Sequence, residues 1–159
     1  MGALRLLCCA ALAAWTLGFA AATAGAAVPV TGAFAVPVVC TDAGLPTWAA
    51  ASFGNGRIAL RPSYCTAIAR AQAGRIQGHV QMGMAALGVL VLGHELSHAL
   101  GTVDRDVTAT GEDPAEADCA AWHLFPWVAW RLGIGRGLSL RLATLVESVG
   151  SPACAKIGA

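Results

Sequence analysis

The chain has 159 residues, 57% of them hydrophobic and 12% charged, a size that accommodates one compact domain with one core and excludes two. Its formal net charge is only +1, and no basic block supplies the attraction on which nucleic-acid affinity depends, so nucleic acid is not an expected partner. The mean hydropathy of +0.64 would suit a membrane protein, yet much of it comes from the first 39 residues, whose only charge is Arg5.

That end carries a short n-region with Arg5, an apolar stretch from Leu6 to about Ala22, and a small-residue site at Ala24-Gly25-Ala26. We read residues 1–26 as a secretory signal peptide and 27–159 as a single domain that is secreted or otherwise extracytoplasmic. Left uncleaved, the segment is nearly long enough to anchor the chain in a bilayer, and that is the one membrane contact expected. Cleavage after Ala26 removes Cys8, Cys9 and Arg5, so that basic residues equal the nine acidic ones. The remaining cysteines, Cys40, Cys65, Cys119 and Cys154, are even in number in an exported chain, which implies two disulfides. Four thiols allow three pairings. We favour Cys40–Cys65 and Cys119–Cys154, one staple for the strand region and one for the C-terminal helices.

Taken in chain order, the Pro-punctuated, valine-rich stretch from Val28 to Val39 reads as an extended lead-in, an edge strand or a tether. Asn55-Gly56 is a strong hairpin turn, and Arg57 to Arg61 alternates so that Ile58 and Leu60 share one face. Pro62 ends that strand. An Ala-rich helix is expected from Cys65 to about Ile76. A second, from about Val80 to Leu100, is apolar on all sides apart from Gln81 and one His/Glu/Ser cluster, which marks a buried helix, with Gly101 as its stop. Its apolar run from Met82 to Gly93 is too short to cross a bilayer. Thr102 to Asp113 is polar and reads as a loop. Asp113-Pro114 then starts a helix that Pro126 should bend or break, and Leu138 to Val149 forms a last helix closed by Gly150. Trp122, Phe125, Trp127 and Trp130 are expected mostly in the core; exposed, they would suggest a peptide pocket or a membrane-interface contact.

The chemistry lies in His94-Glu95-Leu96-Ser97-His98. Histidines at i and i+4 project from one face of a helix and can grip one metal ion. Glu95, about 100° around the helix, is placed to reach a water at that metal and to act as general base in peptide hydrolysis. The bland alternative is a coincidence of core histidines and a surface glutamate, which arises in roughly a few sequences per thousand of this composition. The flanks Val91-Leu92-Gly93 and Ala99-Leu100 are uncharged, as a buried helix with one polar cluster requires.

VLGHELSHALG resembles the active-site helix of the zincin metallopeptidases. The resemblance implies His94 and His98 as Zn2+ ligands, Glu95 as the catalytic base, and a minimal α+β, mostly helical domain. In that layout a small sheet or hairpin, with an edge strand for extended peptide substrate, packs on the active-site helix ahead of further C-terminal helices. Arg57 to Arg61 is a candidate for that strand. Two subgroups suggest the third ligand. HELSHALGTVD fits the metzincin-like spacing that would make it Asp104, but the only methionines are Met1, Met82 and Met84, so no methionine turn follows. Glu116-Ala117-Asp118 resembles the gluzincin-like segment that supplies a glutamate ligand and an orienting aspartate, although the usual ligand position, four residues before the aspartate, is Pro114. We prefer the gluzincin-like reading with Glu116, and keep Asp118 and Asp104 as alternatives. Glu116 could equally complete a capping box with Asp113. Cys119 and His123, also at i and i+4, are expected to be a disulfide cysteine and a solvent-facing histidine rather than a metal pair, and His79 a loop or helix-start residue. The sequence thus suggests an exported zinc peptidase acting on peptide or protein substrates. The alternative is a non-catalytic secreted module that binds metal or peptide.

Overall fold

The computed structural model describes residues 30–47, 49–101 and 114–157. After a 3-10 turn at Val30–Gly32 the elements are β1 (Val38–Cys40), β2 (Ala51–Gly54), β3 (Arg57–Leu60), α1 (Pro62–Gln72), α2 (Gly78–Ala99), α3 (Pro114–Arg131) and α4 (Arg136–Ile157). This is the expected α+β, mostly helical architecture.

Asn55 and Gly56 both have positive φ, 51° and 72°, the combination a two-residue type I′ hairpin demands. The turn sets the register, with Gly54 opposite Arg57 and Phe53 opposite Ile58. Ile58 and Leu60 are fully buried, as the alternation predicts. β1 lies parallel to β3, giving the order β1-β3-β2. The valine-rich lead-in therefore does supply an edge strand. The strand proposed for substrate, Arg57 to Arg61, is instead the central one, because both of its sides are taken; the free edges belong to β1 and β2. Counting back from the turn, Gly54 and Ser52 face β3 with their backbone groups, whereas Phe53 and Ala51 direct theirs away from the sheet.

Arg61 fastens the segment before β2. Its guanidinium donates to the carbonyls of Ala49, Pro46 and Thr47 and to Asp42 Oδ1, a use of the fork that lysine could not reproduce. Pro62 both ends β3 and opens α1 at the first helical position, so this helix starts three residues before the expected Cys65. It stops at Gln72 rather than at about Ile76, because Gly74 at φ 65° turns the chain and Arg75 N–H returns to the Arg70 carbonyl at 2.8 Å.

α2 is the central element, with α1, α3, α4 and the sheet all packed on it. Two glycines permit close approach. A Cβ at Gly88 would lie 3.2 Å from Ile68, and one at Gly93 would lie 3.2 Å from the Ala121 carbonyl. α2 is long and apolar enough to cross a bilayer, but 50% of its apolar window is buried inside the molecule. Gly101, at φ 68°, ends it as expected.

Two helix stops do not occur where the sequence suggests. α3 runs through Pro126, since Phe125, Val128, Ala129 and Leu132 are fully buried on both sides of it and this packing outweighs the roughly 3 kcal/mol that an interior proline costs. α4 runs through Gly150 and Pro152. Gly150 is a packing glycine rather than a stop: a Cβ there would come within 2.5 Å of Trp122. The aromatic group also divides. Phe125 is buried and Trp122 half-buried, but Trp127 and Trp130 are 40% and 68% exposed, because the buried stripe of α3 passes through 121, 125, 128, 129 and 132 and leaves 127 and 130 outside it. Phe34 packs its ring against Trp127 with centroids 5.7 Å apart.

Both favoured disulfides are present. Cys40–Cys65 joins the end of β1 to α1, and Cys119–Cys154 joins α3 to α4. Two disulfides are compatible with an extracytoplasmic protein. The proposed signal peptide lies outside the described residues.

Candidate metal centre

The last two turns of α2 carry His94, Glu95 and His98. Helical geometry sets both histidines on one side, with ring centroids 5.0 Å apart and planes at 67°. His98 is buried at 8% exposure and His94 is half-buried. His94 Nδ1 lies 2.9 Å from Asp118 Oδ1 of α3, with both side chains partly open to solvent. A proton on Nδ1 facing the carboxylate leaves the Nε2 lone pair free, the arrangement found around metal-binding imidazoles. Gly93 eases this pairing, since a Cβ one residue before His94 would press on the Ala121 backbone of α3 at 3.2 Å.

Glu95 leaves the helix toward the sheet. Its Oε2 accepts the Phe53 N–H at 2.7 Å, one of the outward backbone groups of β2. His94, Glu95 and Asp118 share a cavity of about 210 Å³ with Ala49, Ala50, Ala51, Leu90 and Val91. The cavity therefore has an acidic and imidazole floor, an apolar helix side and a wall made by the edge strand. Ser97 is fully buried and donates to the His94 carbonyl at 2.6 Å, a role its position in the motif did not suggest.

Glu116, the favoured third ligand, is not brought to this cavity. It is exposed between the buried Ala115 and Ala117, because two helical positions separate it from Asp118 by about 200°, which sends the two carboxylates to opposite faces. Asp118 is the carboxylate that meets the histidine. Asp104 and Asp113, and with Asp113 the expected capping box, lie outside the described residues. Among the described residues, no carboxylate joins His94 and His98 in a set of three ligand atoms all within 4.8 Å of one another.

Such a set does occur one residue beyond Asp118. Ligand-type atoms of Cys119, His123 and Cys154 all lie within 4.8 Å of one another, so this group could hold a metal ion. With the two sulfurs joined as a disulfide, neither is a thiolate, the form that binds metal. His123 faces solvent, as expected, and its Nε2 lies 3.6 Å from Cys154 Sγ. His79 is exposed in the first turn of α2. Neither a family model, a curated protein nor a solved structure matches the chain.

Proposed function

We propose that this chain is an exported zinc-dependent metallopeptidase of zincin type, in which His94 and His98 hold the ion, Glu95 is the general base and Asp118 orients His94. The observation that carries the reading is the 2.9 Å contact between His94 Nδ1 and Asp118 Oδ1. An i, i+4 histidine pair with one ring steered by a carboxylate is the donor set a catalytic zinc takes. Bound there, Zn2+ would supply Lewis acidity to a peptide carbonyl and to the attacking water. Glu95 accepts the proton of that water and returns it to the leaving amine. The outward backbone of Ala51, beside the cavity, offers an extended peptide its strand-like pairing.

With Asp118 on His94 and Glu116 facing solvent, we assign the third-ligand place to Asp104, the residue that the metzincin-like spacing implies. Asp118 thus takes the orienting role implied by the gluzincin-like segment, and Asp104 the ligand role implied by the metzincin-like spacing. Zinc stoichiometry by atomic spectrometry, with peptide-library digestion read by mass spectrometry, tests the whole reading. One zinc per chain is expected in the parent, with loss in His98→Ala and Asp104→Ala. A correctly folded parent that takes up no zinc sinks the proposal.

A second reading is favoured by one contact. The Phe53 N–H on Glu95 Oε2 would also suit a glutamate that latches α2 to the sheet in a non-catalytic module binding metal or peptide. That reading expects zinc uptake without turnover of any peptide.

A further inference from the structure

We propose that Cys119, His123 and Cys154 form a second metal site, closed while their disulfide is intact and opened by a dithiol reductant. The site is independent of the proposed peptidase centre, because it shares no ligand with it.

Three observations carry it. The first is distance. Zn–S of about 2.3 Å and Zn–N of about 2.0–2.1 Å place the sulfur and nitrogen of a tetrahedral site roughly 3.6 Å apart, and His123 Nε2 already lies 3.6 Å from Cys154 Sγ. The second is placement. His123 is one helical turn from Cys119, so both point to the same side of α3, where α4 delivers Cys154. His123 is exposed and both cysteines are half-buried, so solvent reductant and metal reach them. The third is packing between the helices that does not depend on the S–S bond. Gly150 seats against Trp122 and Ala153 is buried beside Cys154, so α4 should stay docked on α3 when the bond is cut, with its cysteine within reach.

A dithiol gives two electrons and two protons to the S–S bond, becomes a cyclic disulfide, and leaves two thiols. A divalent cation then displaces both thiol protons and binds two thiolates and the neutral imidazole, with water completing the shell. A two-sulfur, one-nitrogen set selects a borderline divalent cation such as Zn2+ over Mg2+ or Ca2+. The described part of the chain offers no third His, Cys, Asp or Glu donor beside Cys40–Cys65, so reduction of that disulfide creates no comparable site.

Cobalt titration reads this directly, because a thiolate-to-cobalt charge-transfer band reports sulfur ligation and is silent at any histidine/carboxylate site. The protein is the full chain carrying Cys8→Ser and Cys9→Ser, reduced anaerobically with dithiothreitol and freed of it. The band should appear in the reduced chain, saturate near one sulfur-bound Co2+ per chain, vanish on Zn2+ addition, and be absent from the oxidised chain. His123→Ala should weaken binding at least by the roughly tenfold that even an outer-shell loss costs. No band in the reduced chain, loss of its helical circular dichroism on reduction, or unchanged affinity in His123→Ala would each overturn the proposal. So would a band that survives Cys119→Ser.

Discussion

α3 presents two histidine-bearing constellations back to back, and they are held in opposite ways. Toward α2, Asp118 meets His94 across a close helix contact in which Gly93 faces the Ala121 backbone. Toward α4, Cys119 is covalently fixed to Cys154, with His123 beside them. In the first, packing positions groups that remain chemically available; in the second, a bond holds the geometry and occupies the same atoms that could bind. Adjacent residues, Asp118 and Cys119, thus serve two sites with different sensitivities. The first should respond to isosteric changes in charge, the second to redox state.

The largest effect separates Glu95 as base from Glu95 as latch. Glu95→Gln keeps a side-chain oxygen for the Phe53 N–H but cannot take a proton at neutral pH. Peptide cleavage should fall by roughly 10²–10⁴-fold while zinc content and stability hold. Unchanged turnover in that variant would remove Glu95 from the chemistry. The next effect belongs to the other side of α3. Cys119→Ser with Cys154→Ser opens a loop of sequence separation 35, and chemical denaturation should show a loss of about 2–4 kcal/mol with zinc at His94/His98 retained. Loss of that zinc in the still-folded variant would mean that the two constellations are coupled rather than independent.

Much of this arrangement was legible in the sequence wherever a local rule was decisive. Asn55-Gly56 dictated a type I′ turn, the alternation from Arg57 placed Ile58 and Leu60 inside, and Gly101 closed the motif helix; each needs only neighbouring residues. The disulfide pairing also emerged: Cys119–Cys154 joins consecutive helices, and Cys40–Cys65 staples the strand region to the helix that follows it. What was not legible depended on long-range packing. Pro126 and Gly150 look like helix stops until the partners that override them, the core around Phe125 and the indole of Trp122, are in place. The gluzincin-like segment offers Glu116 and Asp118 alike, since its usual ligand position is Pro114, and only the packed helix tells them apart: the buried Ala115, Ala117 and Ala121 flank Asp118 and leave Glu116 outside. No local signal announces that Phe53 N–H meets Glu95, because that contact spans 42 residues.

Smaller effects sharpen the contrast within α3 itself. Asp118→Asn preserves shape but weakens the pull on the His94 Nδ1 proton, so zinc affinity should drop roughly 10–100-fold, the usual cost of losing an outer-shell partner. Competition with a chelator of known affinity measures it, and an unaltered affinity would reduce Asp118 to a surface contact.

The smallest expected effect carries the sharpest contrast, because Glu116 is only two positions away. Its side chain is exposed and absent from the cavity that holds His94, Glu95 and Asp118. Glu116→Ala should therefore leave zinc stoichiometry and affinity intact and change stability by no more than about 0.5 kcal/mol, as surface substitutions generally do. A zinc loss in Glu116→Ala comparable to that in His98→Ala would require α3 to rotate by about half a turn when metal binds. That rotation would pull Asp118 off His94 and carry Cys119 away from Cys154, so the intact disulfide opposes it. Running Glu116→Ala in both the oxidised and the reduced chain therefore tests whether the covalent side of α3 fixes the phase of its metal-facing side.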